Sequence, residues 1–141
     1  MQWFQTEAGC LATAHTWMVP GEAPMVTITL AGIRNEHWRR ELGRGQAVSP
    51  LHARLYITRG VQHHARGDEA LRLLLTCPTQ IDPDINPWGD CDMLKVILGG
   101  EKFYLKVDCY ARSWEPNEAS ENTDCDNMTT RVFTCMLANE Y

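Results

Sequence analysis

The sequence lacks the run of about 20 apolar residues that a membrane-spanning helix requires. It also lacks a basic start followed by an apolar stretch, because residues 1–20 contain no Lys or Arg. We therefore predict no secretory signal and expect a cytoplasmic protein. Internal repeats and low-complexity segments are absent as well. The 141 residues, 44% hydrophobic and 22% charged, predict one folded domain of ordinary composition.

Local motifs of common enzymes are also missing. The chain has no glycine-rich phosphate loop, no dinucleotide fingerprint and no informative pairing of a nucleophile with a base. Six cysteines are present, but no two are separated by two residues, so the usual zinc spacing is absent. We predict no catalytic residues and no cofactor. We interpret the cysteines as reduced, buried apolar side chains, with a disulfide or a soft-metal site as the alternatives.

The negative charge is unevenly distributed along the chain. The formal net charge is −5, but residues 78–141 hold twelve Asp and Glu against five Lys and Arg. Such a field repels phosphates, so we expect no direct nucleic-acid binding. It is compatible with a basic partner, with a cation or with simply solvated loops. Two runs concentrate the excess: the first contains Asp82, Asp84, Asp90 and Asp92, and the second contains Glu115, Glu118, Glu121, Asp124 and Asp126.

Hydrophobic periodicity predicts an α+β fold. Strands are predicted at residues 25–30, 53–58, 93–98 and 102–110, and helices at 31–42, 68–77 and 126–141. The last two strands form a hairpin because Gly99 and Gly100 lie between them. Residues 25–141 thus predict a single domain, with a small antiparallel or mixed sheet of about four strands packed with about three helices. Residues 1–24 show no clear period and are interpreted as an N-terminal arm or as upstream sequence.

The helices carry predictions about their buried sides and ends. In the first helix, the apolar residues Ile33 and Trp38 are expected to face the core. The basic residues Arg34 and Arg39 are then expected in solvent. Asp68 is expected to cap the second helix. The inner stripe of the last helix is predicted to contain Met128, Val132, Met136 and Leu137.

Five short segments spread over residues 33–141 carry a family resemblance. They are residues 35–40, 58–60, 86–92, 106–110 and 130–141. In this order they resemble the motifs N-D-x-F-R-R, T-R-G, N-D-P-x-G-E-H-D, K-I-D-Y-Y and T-R-x-L-T-I-M-L-A-x-E-Y of a family of small uncharacterised bacterial proteins. That family is widespread in alphaproteobacteria, often on plasmids and other mobile elements. The resemblance implies a fold and a genomic setting rather than a reaction, and Asp90-Cys91 replaces the family's Glu-His pair.

The first acidic run is also a candidate metal site. Asp82-x-Asp84-x-Asn86 begins like a calcium loop, but Pro87 and Met93 stand where Gly and Glu are required. A non-EF-hand cation site formed by Asp82, Asp84, Asp90 and Asp92 remains as an alternative to ordinary turn formation. The adjacent His63 and His64 point in different directions on a helix or strand, so one metal ion rarely binds both. They would form a hydrolytic metal centre only together with Asp84, Asp90, Asp92 and Asp108, and because the spacing gives no support for this we interpret them as part of a loop.

Asp108 lies on the face of its predicted strand opposite the apolar side chains. We expect this carboxylate to be solvated, or to form a structural salt bridge with Arg59 or Arg131 rather than to act as a base.

These features together predict a non-enzymatic protein-binding accessory of a mobile element. Its acidic surface would imitate a phosphate track and inhibit a host defence nuclease, as anti-CRISPR or anti-restriction factors do. One alternative is a metal-dependent hydrolase that uses the Asp82–Asp92 loop with Asp108. The other is a structural homodimer that pairs through the edge of the hairpin.

Overall fold

The computed structural model describes residues 15–18, 24–112 and 118–141 of the chain. Within these residues the chain forms six strands and three α-helices. In chain order they are β1 (His15–Met18), β2 (Pro24–Ile28), α1 (Leu30–Gly43), β3 (Ala53–Ile57), α2 (Arg59–His63), α3 (Gly67–Thr76), β4 (Met93–Leu98), β5 (Glu101–Ala111) and β6 (Thr129–Leu137). None of these helices has the length and apolarity that crossing a bilayer requires.

Four strands form a mixed sheet in the order β3-β6-β5-β4. β4 pairs with β5 and β5 with β6 in antiparallel fashion, whereas β3 runs parallel to β6. The predicted α+β class, a mixed sheet of four strands and the hairpin are therefore confirmed. The strand predicted at residues 25–30 is not part of this sheet, however, and β6 supplies the fourth strand instead. β1 and β2 form a separate antiparallel pair. Of the predicted arm at residues 1–24, this pair contains residues 15–18 and 24, and the rest lies outside the described residues.

The C-terminal segment is a strand, so the prediction of a last helix is wrong. Its side chains alternate in burial from Thr129, and the inward ones include Arg131, Phe133 and Cys135. β6 is one of the two inner strands of the sheet, because it pairs with β5 on one side and β3 on the other. Val132 and Met136, four residues apart, mimic a helical stripe, but backbone pairing with two distant strands decides the conformation.

The helices cover one face of this sheet. Phe103, Leu105 and Phe133 are fully buried there against Leu74 of α3. Burial of such side chains contributes about 1.5–3 kcal/mol each to folding. The opposite face carries half-buried or exposed residues, including Lys106 at the register position of Thr134. Polar side chains on this second face are therefore available for chemistry.

The helix ends differ from the prediction in two places. α3 has Arg66 at its N-cap position without a side-chain cap, and the expected cap, Asp68, lies in the first turn. α2 was not predicted. It begins after Thr58, whose Oγ1 accepts a hydrogen bond from the Val61 N–H, and it ends at His63. His63, which is predicted to lie in a loop, is thus the last residue of a short helix.

Arg34 and Arg39 of α1 are buried, contrary to the expectation that they lie in solvent, whereas the neighbouring Arg40 is exposed. Arg39 is fully buried and donates two hydrogen bonds of 2.7 Å to the Glu36 carboxylate. It also donates to the Leu74 carbonyl oxygen at 2.9 Å, one of the last carbonyls of α3. The last carbonyls of a helix have no partner within it, so Arg39 supplies the missing hydrogen-bond donor to α3 and thereby joins α3 to α1.

The cysteines are not uniformly reduced. Cys77, Cys91, Cys109 and Cys135 are free. Cys125 is disulfide-bonded, so the interpretation of every cysteine as a reduced thiol is wrong for this residue. Burial raises the pKa of the Cys91 thiol to about 12 and that of Cys135 to about 11. Both thiols stay protonated at neutral pH and fit the predicted role as apolar fillers.

Candidate functional site

Residues 82–92, called the acidic loop below, connect α3 to β4 and are held by one buried amide. Asn86 is 2% exposed, and its Oδ1 accepts a hydrogen bond of 3.0 Å from the Cys91 N–H. Its Nδ2 donates to the Gln80 carbonyl oxygen at 3.0 Å. This clamp stabilises Cys91 at a φ of 52°, a left-handed conformation that is costly for a side chain with a Cβ.

A second set of contacts fixes the loop to the start of α1. The Gly89 carbonyl oxygen accepts from the Thr29 N–H at 3.0 Å. A Cβ at Gly89 would collide with the Thr27 carbonyl oxygen, so this approach requires glycine. The Thr29 hydroxyl donates to Asp90 Oδ1 at 2.6 Å, and Asn35 Nδ2 donates to the Asp90 carbonyl oxygen at 2.8 Å. Asp90, a candidate metal ligand, is therefore used to anchor the loop.

Beneath the acidic loop lies the buried network, which consists of Arg34, Asn35, Trp38, Asp126 and Arg131. Asp126 Oδ1 accepts from Arg34 Nε at 3.0 Å and from Trp38 Nε1 at 2.9 Å. Arg131 is fully buried, contacts Asp126 at 3.4 Å and donates from Nε to Asn35 Oδ1 at 2.7 Å. Desolvation lowers the pKa of both arginines. The network joins α1 to β6 through polar contacts.

Two predictions about the charged residues are corrected by this network. Asp126 was assigned to the partner-binding surface, but it is buried as the counterion of Arg34 and Arg131. Arg131 does not pair with Asp108. The Asp108 carboxylate is partly exposed and lies 3.4 Å from Lys106 Nζ. Arg59, the other expected partner, is exposed at the start of α2.

The outer side of the acidic loop presents an aromatic ring among carboxylates. Trp88 is 80% exposed. The side chains of Asp82, Asp84 and Asp92 on the same loop are exposed as well. Single exposed aromatic residues are common, but this one lies on a loop that is fixed by two hydrogen bonds, from the Cys91 N–H to Asn86 and from the Thr29 N–H to Gly89. The backbone of the loop is therefore anchored on both sides of Trp88.

A cavity of about 370 Å³ lies beside the acidic loop, between it and the uncovered face of the sheet. Its wall includes two tyrosine rings, Tyr104 and Tyr141, with centroids 6.2 Å apart. Lys106 Nζ lies 5.8 Å from the centroid of the Tyr141 ring. The full lining comprises Asp84, Ile85, Asp92, Met93, Tyr104, Lys106, Val107, Asp108 and Tyr141.

The cavity brings together carboxylates that are distant in sequence. Asp84 and Asp92 come from the acidic loop, and Asp108 comes from β5. Partial desolvation raises the pKa of Asp92, and repulsion from Asp90 and Asp108 adds to the shift. In the part of the chain that the structure describes, no group of three or more His, Cys, Asp or Glu is arranged to hold a metal ion. The cavity is thus a negatively charged, aromatic-walled pocket.

The second acidic run is divided in the structure. Glu118 and Glu121 are exposed, and Asp124 is half-buried. Glu115 lies outside the described residues. Ala119 forms an isolated bridge with Tyr110, so this segment runs back along the end of β5. Of the five carboxylates predicted to bind a partner, Glu118 and Glu121 are therefore the ones exposed in the described part of the chain.

Glu140 is not among the site residues predicted from the sequence, and it anchors the C-terminal turn that carries Tyr141. Its carboxylate accepts from the Thr58 hydroxyl at 2.6 Å and from the Gly60 N–H at 3.1 Å. These contacts tie the C-terminal turn to the start of α2, and the ring of the next residue, Tyr141, lies with its centroid 6.2 Å from that of Tyr104. The sequence did contain a signal for this contact, because Thr58, Gly60 and Glu140 all lie in segments that resemble motifs of the family.

The fold and the site define a small α+β domain that displays a fixed acidic loop and an adjoining charged cavity. A family model described as a protein of unknown function (DUF3768) matches residues 57–140, which include the acidic loop and the β4–β5 hairpin. The chain belongs to this family. The expectation of an uncharacterised family is confirmed. No curated protein and no solved structure matches the chain.

Proposed function

We propose that the chain is a protein-binding accessory that docks through its acidic loop on a basic, nucleic-acid-binding protein. Trp88 is the observation that carries this proposal, because its ring is 80% exposed on a loop that hydrogen bonds hold in place. Tryptophan is among the residues that contribute most to protein–protein binding. A loop fixed before binding loses little conformational entropy when it docks.

The charge around Trp88 selects the class of partner. Asp82, Asp84 and Asp92 are exposed on the same loop, and Glu118 and Glu121 are exposed elsewhere. Proteins that bind nucleic acids present Arg and Lys to the phosphates, so their binding surfaces are complementary to these carboxylates. The resemblance to a family carried on mobile elements favours a host defence nuclease as the target. The chain then acts as an anti-CRISPR or anti-restriction inhibitor that occupies the nucleic-acid surface.

The test is capture of the partner followed by an assay of its activity. The tagged chain is incubated with a bacterial lysate that contains assembled CRISPR and restriction complexes. Bound proteins are eluted with a salt step and identified by mass spectrometry. The Trp88→Ala variant is compared with Leu51→Ala, which removes an apolar side chain that is 54% exposed away from the loop. We expect Trp88→Ala to reduce capture about tenfold or more and Leu51→Ala to have little effect.

The captured protein decides the outcome. A nucleic-acid-binding nuclease that is released by salt, and whose cleavage the purified chain inhibits, supports the proposal. Equal capture by the wild type and Trp88→Ala, with equal melting temperatures, would contradict it. Failure to inhibit any captured nuclease would contradict the inhibitor role in particular.

A metal-dependent hydrolase is the second candidate. Asp84, Asp92 and Asp108 line one cavity, but in the described residues their side chains are not arranged as a group that holds a metal ion, so a cation would have to draw them together. Melting curves with Ca²⁺, Mg²⁺, Mn²⁺ and Zn²⁺ test it, since a cation that binds only the folded chain raises the melting temperature. A rise that Asp92→Asn abolishes would favour the hydrolase. The third candidate, a homodimer, uses the free edge of β4 in the described sheet. Light scattering would report it as a doubled mass.

A further inference from the structure

We infer that the cavity beside the acidic loop receives an arginine side chain supplied by the docked partner. The inference deepens the proposed function and rests on it. The cavity measures about 370 Å³, and three of its lining residues, Asp84, Ile85 and Asp92, belong to the acidic loop that carries Trp88. Trp88 and these three lining residues thus belong to one loop, and we take the partner that docks on this loop as the source of the arginine.

The lining matches the chemistry of a guanidinium group. Asp84, Asp92 and Asp108 supply carboxylates, and Tyr104 and Tyr141 supply rings whose planes are 80° apart. A guanidinium forms paired hydrogen bonds with a carboxylate and stacks on an aromatic face. It is also more weakly hydrated than an ammonium group, so it enters such a pocket at a lower desolvation cost.

The chain's own Lys106 shows that this cavity accommodates a cation. Its Nζ lies 3.4 Å from Asp108 Oδ1 and 5.8 Å from the Tyr141 ring centroid. These are the two kinds of contact that an incoming guanidinium would make. Lys106 supplies one positive charge to a lining with three carboxylates, and it offsets only part of the repulsion that Asp90 and Asp108 exert on Asp92. A second cation relieves that repulsion.

Lys106 also affects the affinity of the cavity for an arginine side chain. Because it occupies contacts that the guanidinium would use, it competes with the incoming arginine. Removal of Lys106 should increase affinity by more than the loss of one positive charge explains. Lys102 is the matched control, since it is an exposed lysine on the same strand and does not line the cavity.

The experiment titrates the full chain with a blocked Gly-Arg-Gly peptide and follows backbone amide shifts by NMR at low salt. The same peptide with citrulline in place of arginine has nearly the same shape without the charge. We expect saturable shifts along residues 104–108 with the arginine peptide only. Asp92→Asn and Asp108→Asn should each weaken binding up to about fivefold. Lys106→Met should strengthen it about threefold or more, and Lys102→Met by less than about twofold.

Three results would overturn the inference. They are equal shifts with the citrulline peptide, weaker binding by Lys106→Met, and equal gains from Lys106→Met and Lys102→Met in variants that melt like the wild type. Partner capture separates this failure from failure of the proposed function. If the Trp88-dependent capture persists while the peptide does not bind, the docking surface stands and the arginine receptor is wrong.

Discussion

The buried network and the acidic loop use the same charged residue types, and they differ in access to water. Asp126 in the buried network contacts Arg34, Trp38 and Arg131. Asp84 in the acidic loop is exposed beside a cavity. A buried carboxylate must be paired to remain charged, and its pairs then hold elements together. An exposed carboxylate contributes little to folding and is available to a partner.

The largest expected effect comes from neutralising the buried carboxylate. Asp126→Asn leaves Arg34 and Arg131 without their counterion, so we expect the free energy of unfolding to fall by about 3–5 kcal/mol. Chemical denaturation measures this change. Asp84→Asn is the control, because it makes the same substitution on the surface, and we expect a change within about 0.5 kcal/mol. Similar losses of unfolding free energy for Asp126→Asn and Asp84→Asn would contradict the difference between the buried network and the acidic loop.

An intermediate effect is expected for Asn86, whose buried side-chain amide holds the acidic loop. Asn86→Ala leaves the Cys91 N–H without its acceptor, and Cys91 must still adopt a positive φ. We expect a loss of stability of about 1–3 kcal/mol, again by denaturation. Because the loop is no longer fixed, partner capture should also decrease although Trp88 is present. Unchanged stability together with unchanged capture would show that the acidic loop does not depend on this clamp.

The smallest effect sharpens the comparison, because Glu140 is an exposed carboxylate with a structural role. Hydrogen bonds from Thr58, Leu137 and Gly60 lower its pKa in the folded chain. Its contribution to stability is thus complete above the unfolded value of about 4.3 and is lost as the pH falls through the lowered folded pKa. Since the group is exposed, Glu140→Gln should cost less than about 1 kcal/mol at pH 7.

Denaturation at several pH values tests this prediction for Glu140. The stabilities of the wild type and Glu140→Gln should converge as the solution is acidified below the unfolded pKa. Glu121→Gln, a substitution of another exposed carboxylate, should leave stability nearly unchanged across the range. A difference between wild type and Glu140→Gln that stays constant with pH would show that the charge is not what stabilises the C-terminal turn.

Elements with strong local signals were predicted well. The hairpin of β4 and β5 follows alternating side chains, and Gly99 and Gly100 adopt the positive φ angles of 57° and 82° that its turn requires. α1 and α3 lie within two residues of their predicted ends. β6 was missed because Val132 and Met136 have a helical spacing. Its two neighbours, β3 and β5, are distant in sequence, so no local pattern reports the pairing.

The amino-acid sequence by itself determined the α+β class, the hairpin and the concentration of negative charge, because each depends on neighbouring residues. Only the tertiary structure decided what each charge does. Asp126 and Asp90 contact groups from α1 and its N-cap, whereas Asp84, Asp92 and Asp108 meet in a cavity. The free energy of a charge depends on its solvation and on its partners. Both are set by contacts between residues as many as 96 positions apart, such as Asn35 and Arg131.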